Sequence, residues 1–376
     1  MNNLNIKKLV SFVSLSILFI LFCNPVQAAA KPYVIPENAY VGFDYSIFVD
    51  GELIILREKS YAIDKIKNPD FYVPLKLLSK LKGFKINYNT PITVSSDHGT
   101  FKIDSTNSVL YNNSTYLSLA NFQKLTGYEA KSDFDSLSLF LWSGPEGEKE
   151  SKRLLQQLDK VSFDLKSFMG KKVYIYEGEK IGWVKELSNY SSSSTIVKAV
   201  IQLNNGTIYE ELILNGTPDS FIDYWHYETI GYNYTGKYYW ADKNYLPSSN
   251  PLGHLEKVYF TSVKLKGKNL IIKAKRSSGA NQTFKLSFYD DYTSTIQNGF
   301  YTVNPKTTYP SWSSNIWNKI IQQKISIGMN TQQARLSWGS PERINSYNSN
   351  NLRIEQWVYG RTYLYFYNGK LESWTD

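Results

Sequence analysis

Residues 71–88 read Phe-Tyr-Val-Pro-Leu-Lys-Leu-Leu-Ser-Lys-Leu-Lys-Gly-Phe-Lys-Ile-Asn-Tyr, and residues 115–132 read Thr-Tyr-Leu-Ser-Leu-Ala-Asn-Phe-Gln-Lys-Leu-Thr-Gly-Tyr-Glu-Ala-Lys-Ser. The second segment is a weaker copy of the first at a constant offset of 44 residues. Identical residues that this offset aligns include Tyr72 with Tyr116, Leu75 with Leu119, Leu81 with Leu125, and Gly83 with Gly127. Such a duplication predicts repeated units that share one core.

Each copy is predicted to form a short helix between strands. One helical face carries Leu75, Leu78 and Leu81 in the first copy, and Leu119, Phe122 and Leu125 in the second. We expect Gly83 and Gly127 to end these helices, because glycine adopts the left-handed backbone without steric cost. Strands are predicted at 45–49, 92–94, 109–111 and 137–141, with turns at Asp50-Gly51 and Asn112-Asn113.

This stretch, residues 40–143, resembles the copper amine oxidase N-terminal-like domain of exported Gram-positive bacterial proteins. The resemblance is carried by Tyr-Val-Pro-Leu…Leu…Leu-Lys-Gly-Phe over 72–84, with Pro74 in it, and by the second copy over 116–128. It implies a non-catalytic module that contacts the cell wall. A copper site needs clustered imidazoles and this segment contains only His98, so neither copper nor a quinone cofactor is expected.

The last part of the chain, residues 310–376, predicts two helices and then an antiparallel meander. Ser313 or Ser314 caps the first helix, whose apolar face is Trp317, Ile320, Ile321 and Ile325. Asn330 begins the second helix, with Gln333 in the capping-box position. Four strands are predicted at 344–347, 353–359, 362–367 and 370–374, and Asn-Gly before the last is a strong hairpin signal.

The same part contains, in this order, Ile-Gly-Met-Asn-Thr, Trp-Gly-Ser-Pro, Glu-Gln-Trp-Val-Tyr-Gly and Tyr-Phe-Tyr-Asn-Gly-Lys-Leu. In these words it resembles the SmpA/OmlA (BamE-like) family, whose domains have an α-α-β-β-β order. The resemblance implies a domain that binds proteins or lends structure without catalysis. It implies turns at Gly328, Gly339 and Pro341 and tryptophans packed on the helices at Trp338 and Trp357; Met329 and Gly369 complete the motif.

Between the two regions lies a predicted helical connector, residues 146–169. Apolar residues spaced by four and three positions give one helical stripe: Leu154, Leu158, Val161, Leu165 and Phe168. Gly170 is expected to end the helix. The stripe can pack on a neighbouring domain or pair with a second copy as a short coiled coil. Packing on a neighbour is favoured, because barely two heptads are present.

Residues 171–308 are predicted to be rich in β-structure. The strongest signal is a hairpin of 197–203 and 208–214 around Asn204-Asn205-Gly206, and further strands are predicted at 258–265, 270–274 and 283–289. We expect one or two small β-barrels or sandwiches of an SH3-like kind. The predicted fold class is therefore multidomain α+β.

Nine Tyr or Trp residues lie within the 22 positions from Tyr224 to Tyr245. Aromatic rings mixed with Gly, Asn and Asp are typical of a platform that stacks sugars or peptides. The candidate binding residues are Trp225, Tyr238, Tyr239 and Trp240. The alternative is that these rings form ordinary core between β units.

A metal or acid/base site in this segment is disfavoured. Read as a strand, the segment would place His226 and Glu228 on one face and Asp223 on the other.

The first 30 residues predict a secretory signal peptide. Lys7 and Lys8 precede an apolar run over 9–22, and Val26-Gln27-Ala28 supplies small residues for cleavage. An uncleaved anchor is the alternative, although the run is short for a membrane span. Cleavage would remove Cys23, the single cysteine of the chain.

Charge and composition limit the partners and the chemistry. The 376-residue chain carries a net charge of +9, and residues 1–30 contain two lysines and no acid, which leaves +7 after cleavage. Such a charge would hold an exported protein near anionic wall polymers or lipid headgroups, although lysine usage alone also produces it. One Cys and three His exclude most thiol and metal-site chemistry. The export signal disfavours nucleic acid as a partner.

No nucleophile elbow, zinc-protease motif, phosphate-binding loop or dinucleotide fingerprint occurs in the sequence. We therefore expect a non-catalytic protein that is secreted or associated with the cell wall and binds wall polymer or another exported protein. No metal or cofactor is expected. Two alternatives stay open: a carbohydrate or cell-wall hydrolase that uses carboxylates of the aromatic-rich middle, and an inhibitor of a secreted hydrolase.

Overall fold

The computed structural model describes residues 32–34, 41–58, 60–65, 68–191, 195–214, 216–288, 292–349 and 352–375. The predicted signal peptide lies outside these residues. Mixed helices and sheets confirm the α+β class. The chain divides into two compact units, one reaching to Lys171 and including Trp183–Asp219, the other comprising Lys172–Gly182 and the chain from Ser220 onward. No helix of the described part is long and apolar enough to cross a membrane.

The elements up to residue 142 are β1 (Tyr33–Val34), β2 (Val41–Val49), β3 (Glu52–Ile54), β4 (Ser60–Lys65), β5 (Asn68–Pro74), a 3-10 turn (Leu75–Lys80), β6 (Lys85–Asn87), β7 (Ile92–Ser96), β8 (Gly99–Ile103), β9 (Ser108–Tyr111), β10 (Ser114–Ser118), α1 (Leu119–Thr126), β11 (Glu129–Asp133) and β12 (Ser138–Trp142). The main sheet has the order β1-β9-β10-β5-β4-β2-β12-β11, with β3 on β2, and β6, β7 and β8 form a small second sheet.

The two copies of the repeat share one core, as predicted. Their strands β5 and β10 pair antiparallel, with Tyr72 opposite Ser118 and Val73 opposite Leu117. Leucines of the first copy and Phe122 of the second lie in the same buried cluster. Both predicted turns are also confirmed, since the hairpin residues Asp50-Gly51 and Asn112-Asn113 all have positive φ.

The helices of the two copies differ. In the second copy the Ser118 side chain accepts a hydrogen bond from the backbone of α1, and Gly127 ends the helix at a φ of 73°, as predicted. In the first copy the predicted helix is a 3-10 turn that ends at Lys80, so the prediction that Gly83 ends a helix is wrong. Pro74 stands where Ser118 stands and supplies no side-chain cap, so the orphan amide groups of a first helical turn lack this partner.

The prediction of one continuous helical connector is wrong. The structure has α2 (Gly144–Leu158) and a separate short α3 (Phe163–Lys166). Ser162 between them has an extended backbone, and short polar residues such as Asp159 and Ser162 favour helix ends over helix interiors.

Packing of the connector on the neighbouring sheet is confirmed. Helix α2 contacts β2 and β12, with Leu154 and Leu158 buried. The backbone at the end of the connector lies close to strand β2. A Cβ on Gly170, whose φ is 69°, would lie 2.2 Å from the Cβ of Ser46 in β2.

Further elements up to residue 223 are β13 (Lys172–Ile175), a 3-10 turn (Glu177–Glu179), β14 (Lys180–Asn189), β15 (Val197–Leu203), β16 (Ile208–Ile213) and β17 (Phe221–Asp223). The β15–β16 hairpin confirms the prediction in its register, with Gln202 opposite Ile208. In the second unit β13 pairs antiparallel with β17.

The elements from residue 224 to 308 are α4 (Tyr224–Tyr234), β18 (Tyr238–Ala241), β19 (Lys257–Lys266), β20 (Asn269–Arg276), β21 (Asn281–Ser287), α5 (Tyr292–Gln297), β22 (Phe300–Tyr301) and α6 (Pro305–Thr308). Strands β18 to β22 form one sheet in the linear order β21-β20-β19-β18-β22. The three strands predicted here are confirmed, while the SH3-like barrel stays a prediction.

The interpretation of residues 223–228 as a strand is wrong, because they begin helix α4. The carboxylate of Asp223 accepts a hydrogen bond from the Trp225 amide at 2.8 Å and so caps the helix. The apolar face follows helical spacing, since Tyr227, Ile230 and Tyr234 pack into the core of this unit.

The chain ends with α7 (Ser314–Ile321), α8 (Thr331–Trp338), β23 (Arg343–Ser349), β24 (Leu352–Tyr359), β25 (Thr362–Tyr367) and β26 (Lys370–Thr375). The predicted order of two helices and an antiparallel meander is confirmed. Asn330 and Gln333 form the predicted capping box. Helix α7 ends before Ile325, and Ile321 is exposed, so these two residues were wrongly assigned to its buried face.

The motif residues of this part lie in the buried core, in turns and at a helix end. Met329 and Trp357 are buried in one cluster, Gly328 and Gly369 lie in turns with positive φ, and Gly339 ends α8. Pro341 follows that helix end. Trp338 lies on α8 itself, with its ring edge-on to Tyr359.

Candidate anion-binding face

The sheet β21-β20-β19-β18-β22 has one apolar and one polar face. Along β19, β20 and β21 buried and solvent-facing residues alternate, as the period of a strand requires. A bulge between Phe260 and Ser262 interrupts the alternation of β19 once and shifts it by one residue, so Lys264 and Lys266 lie on the same face as Lys257. The apolar face forms the core of the second unit.

The polar face carries six solvent-exposed lysines, and we call it the lysine face: Lys257, Lys264, Lys266, Lys273, Lys275 and Lys285. Ion pairs occur elsewhere in the described residues, but none of them involves these six side chains. The one arginine of these strands, Arg276, is held by Glu256 through two hydrogen bonds of 2.8 Å. The lysine face is therefore positive and uncompensated by its own neighbours.

Four of the lysines form a diagonal line across three strands, which we call the lysine track. Lys285 lies opposite Ile271, two residues from Lys273; Lys275 follows on the same strand. Lys275 lies opposite Tyr259, two residues from Lys257. Successive Cα atoms along such a path are roughly 7 Å apart.

Aromatic rings lie at one end of the lysine track. The ring of Tyr238 packs on that of Tyr259 at 5.0 Å between centroids, and the Lys257 Nζ lies 3.9 Å above the centre of the Tyr238 ring. Trp240 lies opposite Lys257 on the same face. This end of the face combines cation–π contacts with half-exposed rings, which suits a ligand that carries both charge and apolar surface.

Two of the four candidate binding residues meet on this face, and two do not. Tyr238 and Trp240 share it, whereas Tyr239 points to the other side of β18 and is only 3% exposed. Tyr239 stacks on Phe260 at 4.1 Å and donates a hydrogen bond to the Tyr234 carbonyl. Trp225 is exposed and lies on helix α4 rather than on these strands. Tyr239 thus belongs to the core, which the sequence interpretation left open.

The lysines themselves were missed, although the sequence contains a signal for them. Residues 257–288 include seven Lys and one Arg and not a single Asp or Glu. Once β19, β20 and β21 are known, strand alternation puts six of the lysines on one face. Counting acids within each run of strands would have found this region.

The acid/base candidates of the aromatic segment have structural partners. Asp223 caps α4, and its carboxylate lies 3.9 Å from the Nδ1 of His226. Among the described residues, no three His, Cys, Asp or Glu side chains are arranged to hold a metal ion.

Asp242 and His254 form a buried pair. Asp242 also lines a cleft of about 440 Å³, together with Tyr301 and Arg335. Asp242 accepts a hydrogen bond from the Asn244 amide at 3.1 Å. Burial, and next the charge of Asp242, raise the pKa of Tyr301, so this phenol stays a donor.

His254 is held as a neutral imidazole. Its Nδ1 accepts a hydrogen bond from the Lys243 amide at 3.2 Å, so the proton is on Nε2, which donates to the Leu336 carbonyl at 2.7 Å. Burial lowers the pKa of His254, while Asp242 at 3.8 Å opposes this shift. Because Nδ1 faces an amide N–H, this ring is not oriented to relay a proton to Asp242. It ties the loop before β19 to helix α8.

No protein-family model, no curated protein and no solved structure matches this chain. The resemblances of residues 40–143 and 310–376 to known families therefore stay predictions.

Proposed function

We propose that this protein is an exported, non-enzymatic component of a Gram-positive cell envelope that binds an anionic wall polymer through the lysine face. The observation that carries the proposal is the set of six exposed lysines on one sheet face, in a run of strands that contains no acid. An uncompensated set of cations attracts a polyanion and gains free energy by releasing the counterions of that polymer.

The spacing of the lysine track supports a linear polymer with regularly placed charges. Six backbone bonds, as in two extended residues of a polypeptide, span roughly 7 Å. A phosphodiester polymer with a three-carbon repeat places successive phosphates six bonds apart. Its phosphates can therefore follow the track from Lys285 to Lys257 one lysine at a time.

The predicted signal peptide and the two resemblances to non-catalytic modules support the same proposal. Binding of another exported protein is the alternative that the sequence left open, and no contact in the described residues favours it over the polymer.

The test is co-sedimentation of residues 31–376 with cell-wall sacculi, with and without their anionic polymer, at low and high salt. The variant Lys273→Gln/Lys275→Gln/Lys285→Gln should lose most binding. The matched control Lys82→Gln/Lys124→Gln/Lys160→Gln removes the same charge from exposed lysines of the first unit and should keep it.

The outcomes separate the alternatives. Equal loss in both triple variants would attribute binding to net charge rather than to the face, and would overturn the proposal. Binding that is unchanged by polymer removal would do the same. Release of soluble muropeptides would show hydrolysis and overturn the non-enzymatic part.

A further inference from the structure

A groove of about 580 Å³ lies beside the lysine face, between helix α4 and residues 261–265 of β19. It exists because β18 pairs with β19 only as far as Tyr259, so helix α4 takes the place of a neighbouring strand from there on. A groove of this volume is in the range of small-ligand sites.

The wall of the groove is built by close contact between the helix and the strand. The Thr235 side chain accepts a hydrogen bond from the Val263 amide at 3.2 Å. A Cβ on Gly231 would lie 3.3 Å from the Val263 carbonyl, so glycine permits the close approach of the helix. These contacts occupy the open side of β19 near Val263 and oppose the addition of another strand there.

The lining of the groove combines rings, hydroxyl groups and both signs of charge. Tyr232, which is 84% exposed, lines the groove together with Glu228, Ser262 and Lys264. Tyr227 supplies a second ring, fixed by stacking on Tyr174 at 4.1 Å.

This mixture favours a neutral, hydroxylated ring. A carboxylate in the groove disfavours an anionic group, and an ammonium group beside it disfavours a cationic one. A sugar can stack its C–H face on Tyr232 while its hydroxyl groups bond to Glu228 and Ser262.

Lys264 belongs both to the groove and to the lysine face. We propose, on the basis of the function proposed above, that the groove is a saccharide subsite that receives the neutral sugar substituent of the phosphodiester polymer bound along the lysine face. The lysines hold the phosphates, and the groove distinguishes a glycosylated polymer from a bare one.

The test is a titration of residues 31–376 with two probes of equal length: poly(glycerol phosphate) without substituents and the same polymer with glucosyl substituents. We expect the wild type to bind the glucosylated polymer tighter by about three- to tenfold, the contribution of one stacked ring. Tyr232→Ala should abolish this preference and leave the affinity for the bare polymer unchanged. Tyr190→Ala, which removes a 62% exposed ring from the first unit, should preserve the preference.

Equal affinity of the wild type for the two polymers would overturn the subsite and leave polyanion binding intact. A Tyr232→Ala variant that weakens both probes equally, or that keeps the preference, would also overturn it. Failure to bind either polymer would overturn the proposed function together with the subsite.

Discussion

Tyr238 and Tyr239 are adjacent in β18 and point to opposite faces, so substitutions at the two positions separate core from binding surface. Tyr239 is buried, while Tyr238 is 52% exposed on the lysine face. We predict that Tyr239→Ala destabilises the second unit and that Tyr238→Ala weakens polymer binding instead.

The magnitude at Tyr239 follows from its contacts. Removing a ring that is 3% exposed and stacked on Phe260 leaves a large cavity, and such truncations cost about 3–5 kcal/mol. Tyr239→Phe keeps the ring but leaves the Tyr234 carbonyl at the end of α4 without its hydroxyl donor. A lost hydrogen bond of this kind costs about 1 kcal/mol. Burial raises the pKa of Tyr239 to about 12, so the hydroxyl group is a donor at neutral pH.

The assay is urea unfolding of the three variants, followed by tryptophan fluorescence and circular dichroism. Tyr238→Ala should change the free energy of unfolding by less than about 0.5 kcal/mol, as at most surface positions. A Tyr239→Ala protein that unfolds like the wild type but no longer sediments with sacculi would refute the reasoning, because the ring would then belong to the binding surface.

Three further predictions concern stability. Because burial lowers the pKa of His254, the unfolded chain binds a proton below about pH 6.5 that the folded protein does not bind, and the free energy of unfolding falls. His254→Gln should make this fall smaller, and the control His98→Gln should leave it unchanged. Thermal unfolding from pH 7.5 to 5 tests this, and identical pH profiles for all three proteins would contradict it. Gly170→Ala should lower the free energy of unfolding by more than about 2 kcal/mol, because strain at positive φ adds to a clash with Ser46. Gly127→Ala, at a similar φ but in open space, should cost about 1 kcal/mol. Equal urea midpoints for the two variants would contradict the clash. Asn330→Ala removes a complete capping box and should cost about 1–2 kcal/mol; an unchanged urea midpoint would show that the cap contributes nothing.

The elements with local signals were predictable from the sequence. The Asn330 capping box, the hairpin at Asn204-Asn205-Gly206 and the Gly127 helix end depend on residues close in sequence, and all three have the predicted form. The duplicated segment was predictable for a different reason, because self-similarity at a fixed offset is independent of the type of structure.

The failures have physical reasons as well. Aromatic residues favour strands on average, which is consistent with the interpretation of residues 223–228 as a strand. The apolar positions of this segment follow helical spacing instead, and Asp223 supplies a helix cap. The apolar stripe of the connector continues across the break at 159–162, and therefore predicts one helix where the structure has two. The apolar spacing does not reveal this local loss of helical backbone, because Val161 is buried although it lies in the break.

The candidate site could be predicted only in part. Tyr238 and Trp240 were among the candidates, but the lysines belong to three strands whose register sets their common face. That register depends on the bulge at Phe260 and on hairpin pairing, which a pattern of residues does not determine.

The most direct test of the lysine face is the salt dependence of binding to poly(glycerol phosphate). Each phosphate neutralised on a single-stranded nucleic acid contributes about −0.7 to the slope of log K against log salt concentration. If each of the four lysines of the track neutralises one phosphate, the slope should be about −3. Lys273→Gln/Lys275→Gln should bring the slope to about −1.5, and Lys82→Gln/Lys124→Gln should leave it unchanged. A slope that is the same in all three proteins, or that falls equally in both variants, would contradict the account.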